Sequence, residues 1–157
     1  GAGGLSMHIR LADNQMQCHI SDFPPGTYKK AHKHGVGAYV VLLGGVGYSL
    51  LWFDGQKEPL KVDWKDGSVL CPKAMEFHQH FNTGSTRARY LALRLGSLEG
   101  SGNEQWAGEL PRSTVSIAEG GWQYDYEDQD PKIHELYEQE CAKNSSTVLQ
   151  PRPIYKK

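Results

Sequence analysis

Along the chain, hydrophobic and polar residues alternate in short runs divided by glycine and proline. Met7 to Leu11 and Gln17 to Ser21 read as opening strands, stopped by the turn Pro24-Pro25-Gly26. Tyr28, Lys30, His32 and His34 recur at period two, so an extended segment would place all four side chains on one face. Beyond Gly35-Val36-Gly37, Tyr39 to Leu43 is strongly β-prone. Gly44-Gly45-Val46-Gly47 reads as a turn, and Tyr48 to Phe53 as the strand that pairs back across it in a hairpin. Leu60 to Trp64, Ser68 to Cys71, Phe77 to Phe81 and Arg89 to Leu95 follow as further strands. In the third of these, His78 and His80 share a face opposite Phe77, Gln79 and Phe81. In the last, Tyr90, Ala92 and Arg94 oppose Leu91, Leu93 and Leu95.

The texture changes at Gly96. Gly96 to Gly121 reads as loops, and Trp122 to Tyr126 as a short aromatic stretch. One helix follows. Asp130 caps it, Pro131 takes its first position, Ile133, Leu136 and Tyr137 form its apolar stripe, and it ends near Asn144. Ser145 to Lys157 reads as an extended tail. About eight strands with no helix between them exclude a parallel sheet and predict an antiparallel barrel or sandwich. The expected organisation is a tag remnant and disordered start at 1–6, a β-barrel with late loops at 7–126, and a helix with tail at 127–157.

A chain of 157 residues is one domain, large enough to bury a core without disulfides. Its 18 glycines exceed the usual ~7% and suit tight turns better than a helical bundle. A net charge of -1 argues against a nucleic-acid partner, which needs a basic face, and gives no attraction to an anionic membrane. The longest apolar run, Ala38 to Leu43, is too short to span a bilayer. Cys18, Cys71 and Cys141 match no zinc or redox spacing. Their odd number predicts reduced thiols and a cytoplasmic setting, with Cys71 buried in its strand.

The chemistry rests on two His-x-His pairs, His32/His34 and His78/His80. On a strand, residues two apart point the same way, about 6.5–7 Å from each other, so two imidazoles can converge on one ion. Neutral imidazole suits Fe, Ni, Cu and Zn, and Mn less well. Three imidazoles leave coordination positions open for substrate or dioxygen.

Gly26, five further residues, His32-x-His34 and a glycine-bounded segment resemble the first motif of the cupin superfamily, G-x5-H-x-H-x3,4-E-x6-G. Gly67 to Pro72 and His78-x3-Asn82 resemble its second motif, G-x5-P-x-G-x2-H-x3-N. The resemblance spans residues 17 to 95 and extends to small single-domain bacterial cupins of poorly defined function. It implies an all-β double-stranded β-helix, the jelly-roll cupin barrel, here with one C-terminal helix. It also implies that His32 and His34 are metal ligands, joined by His78 or His80. The Pro72 to His78 interval is one residue longer than the motif, and Ala74 stands at its glycine. The motif glutamate falls on Ala38 or Tyr39, neither of them a carboxylate.

The expected site therefore contains one divalent transition metal, with Fe(II) favoured over Mn, Ni, Cu or Zn, held by His32, His34, His78 and His80. Tyr39, Tyr28 and Lys30 are the candidate catalytic groups, and Lys30, Arg94 and Trp52 the candidate substrate contacts. Lys29, the neighbour of Lys30, is expected to face solvent. The expected activity is a metal-dependent, iron-type dioxygenation of a small carboxylate-bearing molecule. A non-redox lyase, isomerase or decarboxylase, or a ligand-binding module, is the alternative. A homodimer is expected, exchanging the Leu5 to Leu11 strand or the tail, with Trp106 and Trp122 near a cavity mouth or the same interface.

Overall fold

A computed structural model describes residues 3–10, 16–95 and 112–156. Among the described residues, nine strands run in chain order: β1 (Leu5–Arg10), β2 (Met16–Phe23), β3 (Thr27–Tyr28), β4 (Tyr39–Gly44), β5 (Val46–Trp52), β6 (Leu60–Lys65), β7 (Val69–Leu70), β8 (Phe77–Asn82) and β9 (Ala88–Leu95). Helix α1 (Pro131–Lys143) follows three short 3-10 turns. The strands form two sheets, ordered β1-β2-β9-β4-β7 and β3-β8-β5-β6, with every pairing antiparallel. This is the all-β antiparallel, two-sheet architecture with one C-terminal helix that the alternating pattern predicts, and it agrees with the double-stranded β-helix that the cupin resemblance implies.

The two sheets close on a core of Phe23, Val40, Leu42, Trp64, Leu70, Ala88 and Tyr90. A second core, built on Tyr28, Tyr48, Leu50 and Phe81, covers the outer face of the four-stranded sheet with Tyr137 and Cys141 of α1. Capping starts α1 where the sequence places it: the Asp130 side chain accepts from Lys132 N at 2.9 Å, and Pro131 leads the first turn. Its buried stripe is His134, Tyr137 and Cys141, with Ile133 and Leu136 partly buried beside it.

The expected β4/β5 hairpin does not form. The glycine run carries the chain from one sheet to the other, so β4 pairs with β7 and β9 while β5 pairs with β6 and β8. Close approach explains the glycines. A Cβ on Gly45, at φ +97°, would lie 2.8 Å from Ala88 Cα, and one on Gly47 would lie 1.9 Å from the Phe81 carbonyl oxygen. Cys71 is exposed, not buried, because β7 is only two residues long and ends before it. Gly26 anchors the C-terminal tail: its carbonyl accepts from Leu149 N and Gln150 N, each at 2.8 Å, and from the Tyr137 hydroxyl.

Candidate metal centre

Tyr28 of β3 pairs with Phe81, and His32, beyond β3, bridges to His78, so four steps along the chain run against three on β8. The extra residue shifts the register by one and turns the side chains of the flanking segments to opposite faces. His32 consequently faces the interior between the sheets. Tyr28 faces α1, where its hydroxyl meets His134 Nδ1 at 3.0 Å. The shared face expected for Tyr28, Lys30, His32 and His34 is broken at that point. Both Lys29 and Lys30 line the cavity, which corrects the outward placement of Lys29.

The interior holds a cavity of about 450 Å³. In it the candidate ligand atoms of His32, His34 and His78 all lie within 4.8 Å of one another. The ring centroids of His78 are 4.4 Å from those of His32 and 4.8 Å from those of His34. His80 lies one same-face position further along β8, its ring 5.7 Å from His78 and 5.1 Å from Tyr90. Register distinguishes the two. His78 is bridged to His32, whereas His80 sits opposite Ser49. The extra residue between Pro72 and His78 is absorbed in a turn where Met75 adopts φ 59°.

Hydrogen bonding fixes the orientation of the three imidazoles. Nδ1 of His32 meets the Lys30 carbonyl at 3.3 Å, Nδ1 of His78 the Glu76 carbonyl at 3.0 Å, and Nδ1 of His34 the Val36 carbonyl. A carbonyl only accepts, so each Nδ1 carries the proton and each Nε2 presents a lone pair. Burial holds the rings neutral. It lowers His32 to about 3 and His34 to about 4, and pushes His78 well below the usual imidazole range, with the neighbouring imidazoles adding to the effect at His32 and His78. Three neutral, oriented nitrogen donors around a cavity fit a divalent transition metal.

Charge in the cavity is of one sign. Lys29, Lys30 and Arg94 line it, and no carboxylate does among the described residues. Lys30 pairs with Asp125 and is largely neutralised there. Among the described residues, Lys29 bonds the neutral Ser21 hydroxyl alone and lies over the Phe23 and Tyr90 rings. Arg94 has no ion pair among the described residues, and burial lowers its pKa.

Tyr39 and Trp52 lie elsewhere. Tyr39 is 63% exposed and outside the cavity, since Val40 takes the inward position on β4. Ala38 is the motif position that faces in, and it lines the cavity. Trp52 shares the helix-side face of β5 with Tyr48 and Leu50, stacks on Phe77 at 5.4 Å and lines a separate cavity beside α1. The sequence reading missed His19, Ser49 and Tyr90 as residues around the site. A single histidine, serine or tyrosine in a strand gives no spacing signal, although Tyr90 does alternate with Arg94. Trp106 lies outside the described residues, and Trp122 hands its carbonyl to Lys33 N at 3.1 Å. Among the described residues, no helix is long and apolar enough to cross a membrane.

No protein-family model matches the chain, and no curated protein matches it in sequence. Solved structures do. A predicted oxalate decarboxylase from Thermotoga maritima is 25% identical, with 60% of this chain and 81% of that one covered and a TM-score of 0.50. The oxalate decarboxylase of Lactobacillus farciminis, solved as a formate complex, is 16% identical, with 69% and 34% covered and a TM-score of 0.55. A cupin superfamily protein from Desulfitobacterium hafniense is 22% identical, with 60% and 78% covered and a TM-score of 0.46. The match thus spans about a third of the Lactobacillus chain. The two-sheet topology and the likenesses to the Thermotoga and Lactobacillus structures show a cupin-type fold, and His32, His34 and His78, the first partly buried and the other two buried, form a cluster capable of coordinating a metal ion.

Proposed function

We propose that the protein is a metal-dependent enzyme acting on a small, carboxylate-bearing molecule in its barrel. The observation that carries this reading is the convergence of three imidazoles, each with Nδ1 tied to a backbone carbonyl, in a cavity whose charged lining groups, among the described residues, are all cations. His32, His34 and His78 would hold the metal. Fe(II) is the favoured ion, with Ni, Cu and Zn equally compatible with nitrogen donors and Mn less so. Bound there, the ion supplies Lewis acidity and, if it is iron, access to dioxygen chemistry. The chain's own residues do the rest. Arg94 and Lys29 attract and orient the carboxylate, and Lys30 closes on Asp125 beside Gln123 at the cavity wall. Val40, Ala92 and Tyr90 give the cavity a partly apolar wall.

Dioxygenation is the first reaction class, because three protein ligands leave room for both substrate and dioxygen. Decarboxylation without net oxidation is the second, favoured by the likeness to the Thermotoga protein. The test loads the protein anaerobically with Fe(II) and adds a panel of small mono- and dicarboxylates with and without dioxygen. Oxygen uptake matched one to one by consumption of a panel compound, without carbon dioxide release, supports the first class. Carbon dioxide release without oxygen uptake supports the second. A protein that takes up no metal on loading would refute both.

A further inference from the structure

The fourth histidine of the two pairs has a different partner from the other three. His80 Nδ1 lies 2.7 Å from Ser49 Oγ, and Trp64 Nε1 donates to that same oxygen at 3.0 Å. Ser49 is wholly buried, and Trp64 and His80 are nearly so. An indole N–H only donates, so Ser49 Oγ accepts from Trp64 and its own hydroxyl proton needs an acceptor. Among the described residues, the one acceptor in reach is His80 Nδ1. The reverse arrangement, with Nδ1–H donating to Ser49, would leave the serine proton buried and unbonded. Nδ1 of His80 therefore accepts, and the ring's proton lies on Nε2. Nε2 is not among the buried unpaired atoms, and His80 lines the cavity, so this N–H opens into it.

The geometry points to His80 as a positioning residue: Trp64 and Ser49 lock it as the Nε2–H tautomer, so it offers the cavity a hydrogen-bond donor and is not a fourth metal ligand. The other three histidines are locked in the opposite tautomer by carbonyls. One strand thus alternates a lone pair at His78 with a donor at His80, and a molecule bound beside the metal must present an acceptor oxygen to the latter. His80 neighbours a metal only if the centre proposed above is correct, whereas its tautomer is read in metal-free protein. The two therefore fail separately.

The test is nitrogen-15 NMR of histidine-labelled, metal-free protein, with the His80 signals assigned by their loss in His80→Gln. The expected spectrum shows His80 protonated at Nε2, favoured by about tenfold or more over Nδ1–H, and three other histidines protonated at Nδ1. One equivalent of Zn(II) should shift the Nε2 signals of those three and leave the His80 Nε2–H in place. Ser49→Ala should release a mixed tautomer, and Ser49→Thr, which keeps a hydroxyl, should restore Nε2–H. His80 protonated at Nδ1 in the wild type, or losing its Nε2 proton when Zn(II) binds, would overturn the assignment whether or not the variants fold. An unchanged tautomer in folded Ser49→Ala would overturn the role of Ser49.

Discussion

Ala38→Glu tests how the site is built. Ala38 is 7% exposed and lines the same cavity as His32, His34 and His78, at the position where the cupin motif carries glutamate. Its backbone is pinned by a hydrogen bond from Ala38 N to the Pro72 carbonyl at 3.0 Å, so a new side chain is constrained to enter the cavity. Without metal, the variant buries a carboxylate. The penalty for an unpaired ion is several kcal/mol, and Arg94 and Lys29 in the same cavity offset part of it. A net loss of about 1–3 kcal/mol is expected, or ~3–9 °C in Tm for a chain of this size. With metal, the carboxylate becomes a fourth donor. Affinity should rise on the order of 10- to 100-fold, the scale on which lesser changes around metal ligands act. Each tenfold is worth ~1.4 kcal/mol. The assay is a chelator-competition titration of the metal, paired with Tm measured with and without it. The variant should melt below wild type when metal-free and gain more from metal than wild type does. Unchanged metal affinity in a folded variant would refute the placement of Ala38 at the centre.

Three further outcomes follow from the geometry. Gly26→Ala should displace the C-terminal tail, because its Cβ would lie 1.9 Å from the Thr147 carbonyl oxygen at a φ of +62°; a lower Tm and faster proteolysis after α1 would show it, at a cost of about 1–3 kcal/mol. Tyr39→Phe should leave metal affinity at the wild-type value, since the ring faces outward; a loss of tenfold or more in a metal titration would contradict that. His19 is lowered to about 3 by burial, with the nearby charges of His8, Arg94 and Lys29 adding to it. The unfolded chain therefore binds a proton below about pH 6.5 that the folded chain does not. The stability that this group contributes is complete above about pH 6.5 and declines as pH falls towards 3. Denaturation of metal-free His19→Gln across that window should show a slope shallower by up to about one proton, and an identical slope would contradict the burial of His19.

Local features were legible in the sequence and non-local ones were not. Asp130-Pro131 and Asn144 bound α1 because capping depends on a few adjacent residues. The two His-x-His pairs predicted a convergent cluster because strand alternation is a local rule. Gly44 to Gly47 misled because a glycine run serves a hairpin and a crossing between sheets equally well; the contacts that decide it come from Ala88 and Phe81, far along the chain. Tyr28 was misplaced by one inserted residue opposite β8, which no periodicity within its own strand reveals. His78 and His80 share a face, so only the pairing of His32 with β8 separates them. Tyr39 and Ala38 were equivalent under the motif's variable spacing until Val40 fixed which face of β4 points inward.

The most direct measurement of the central claim is metal content and coordination in protein loaded with Fe(II) or Zn(II), read by elemental analysis and X-ray absorption. Wild type and His80→Gln should each hold one ion per chain with three imidazole nitrogens at ~2.0–2.2 Å. His32→Ala, His34→Ala and His78→Ala should each lose it. A wild type that retains no ion, or an ion that survives His78→Ala and disappears with His80→Gln, would contradict the account.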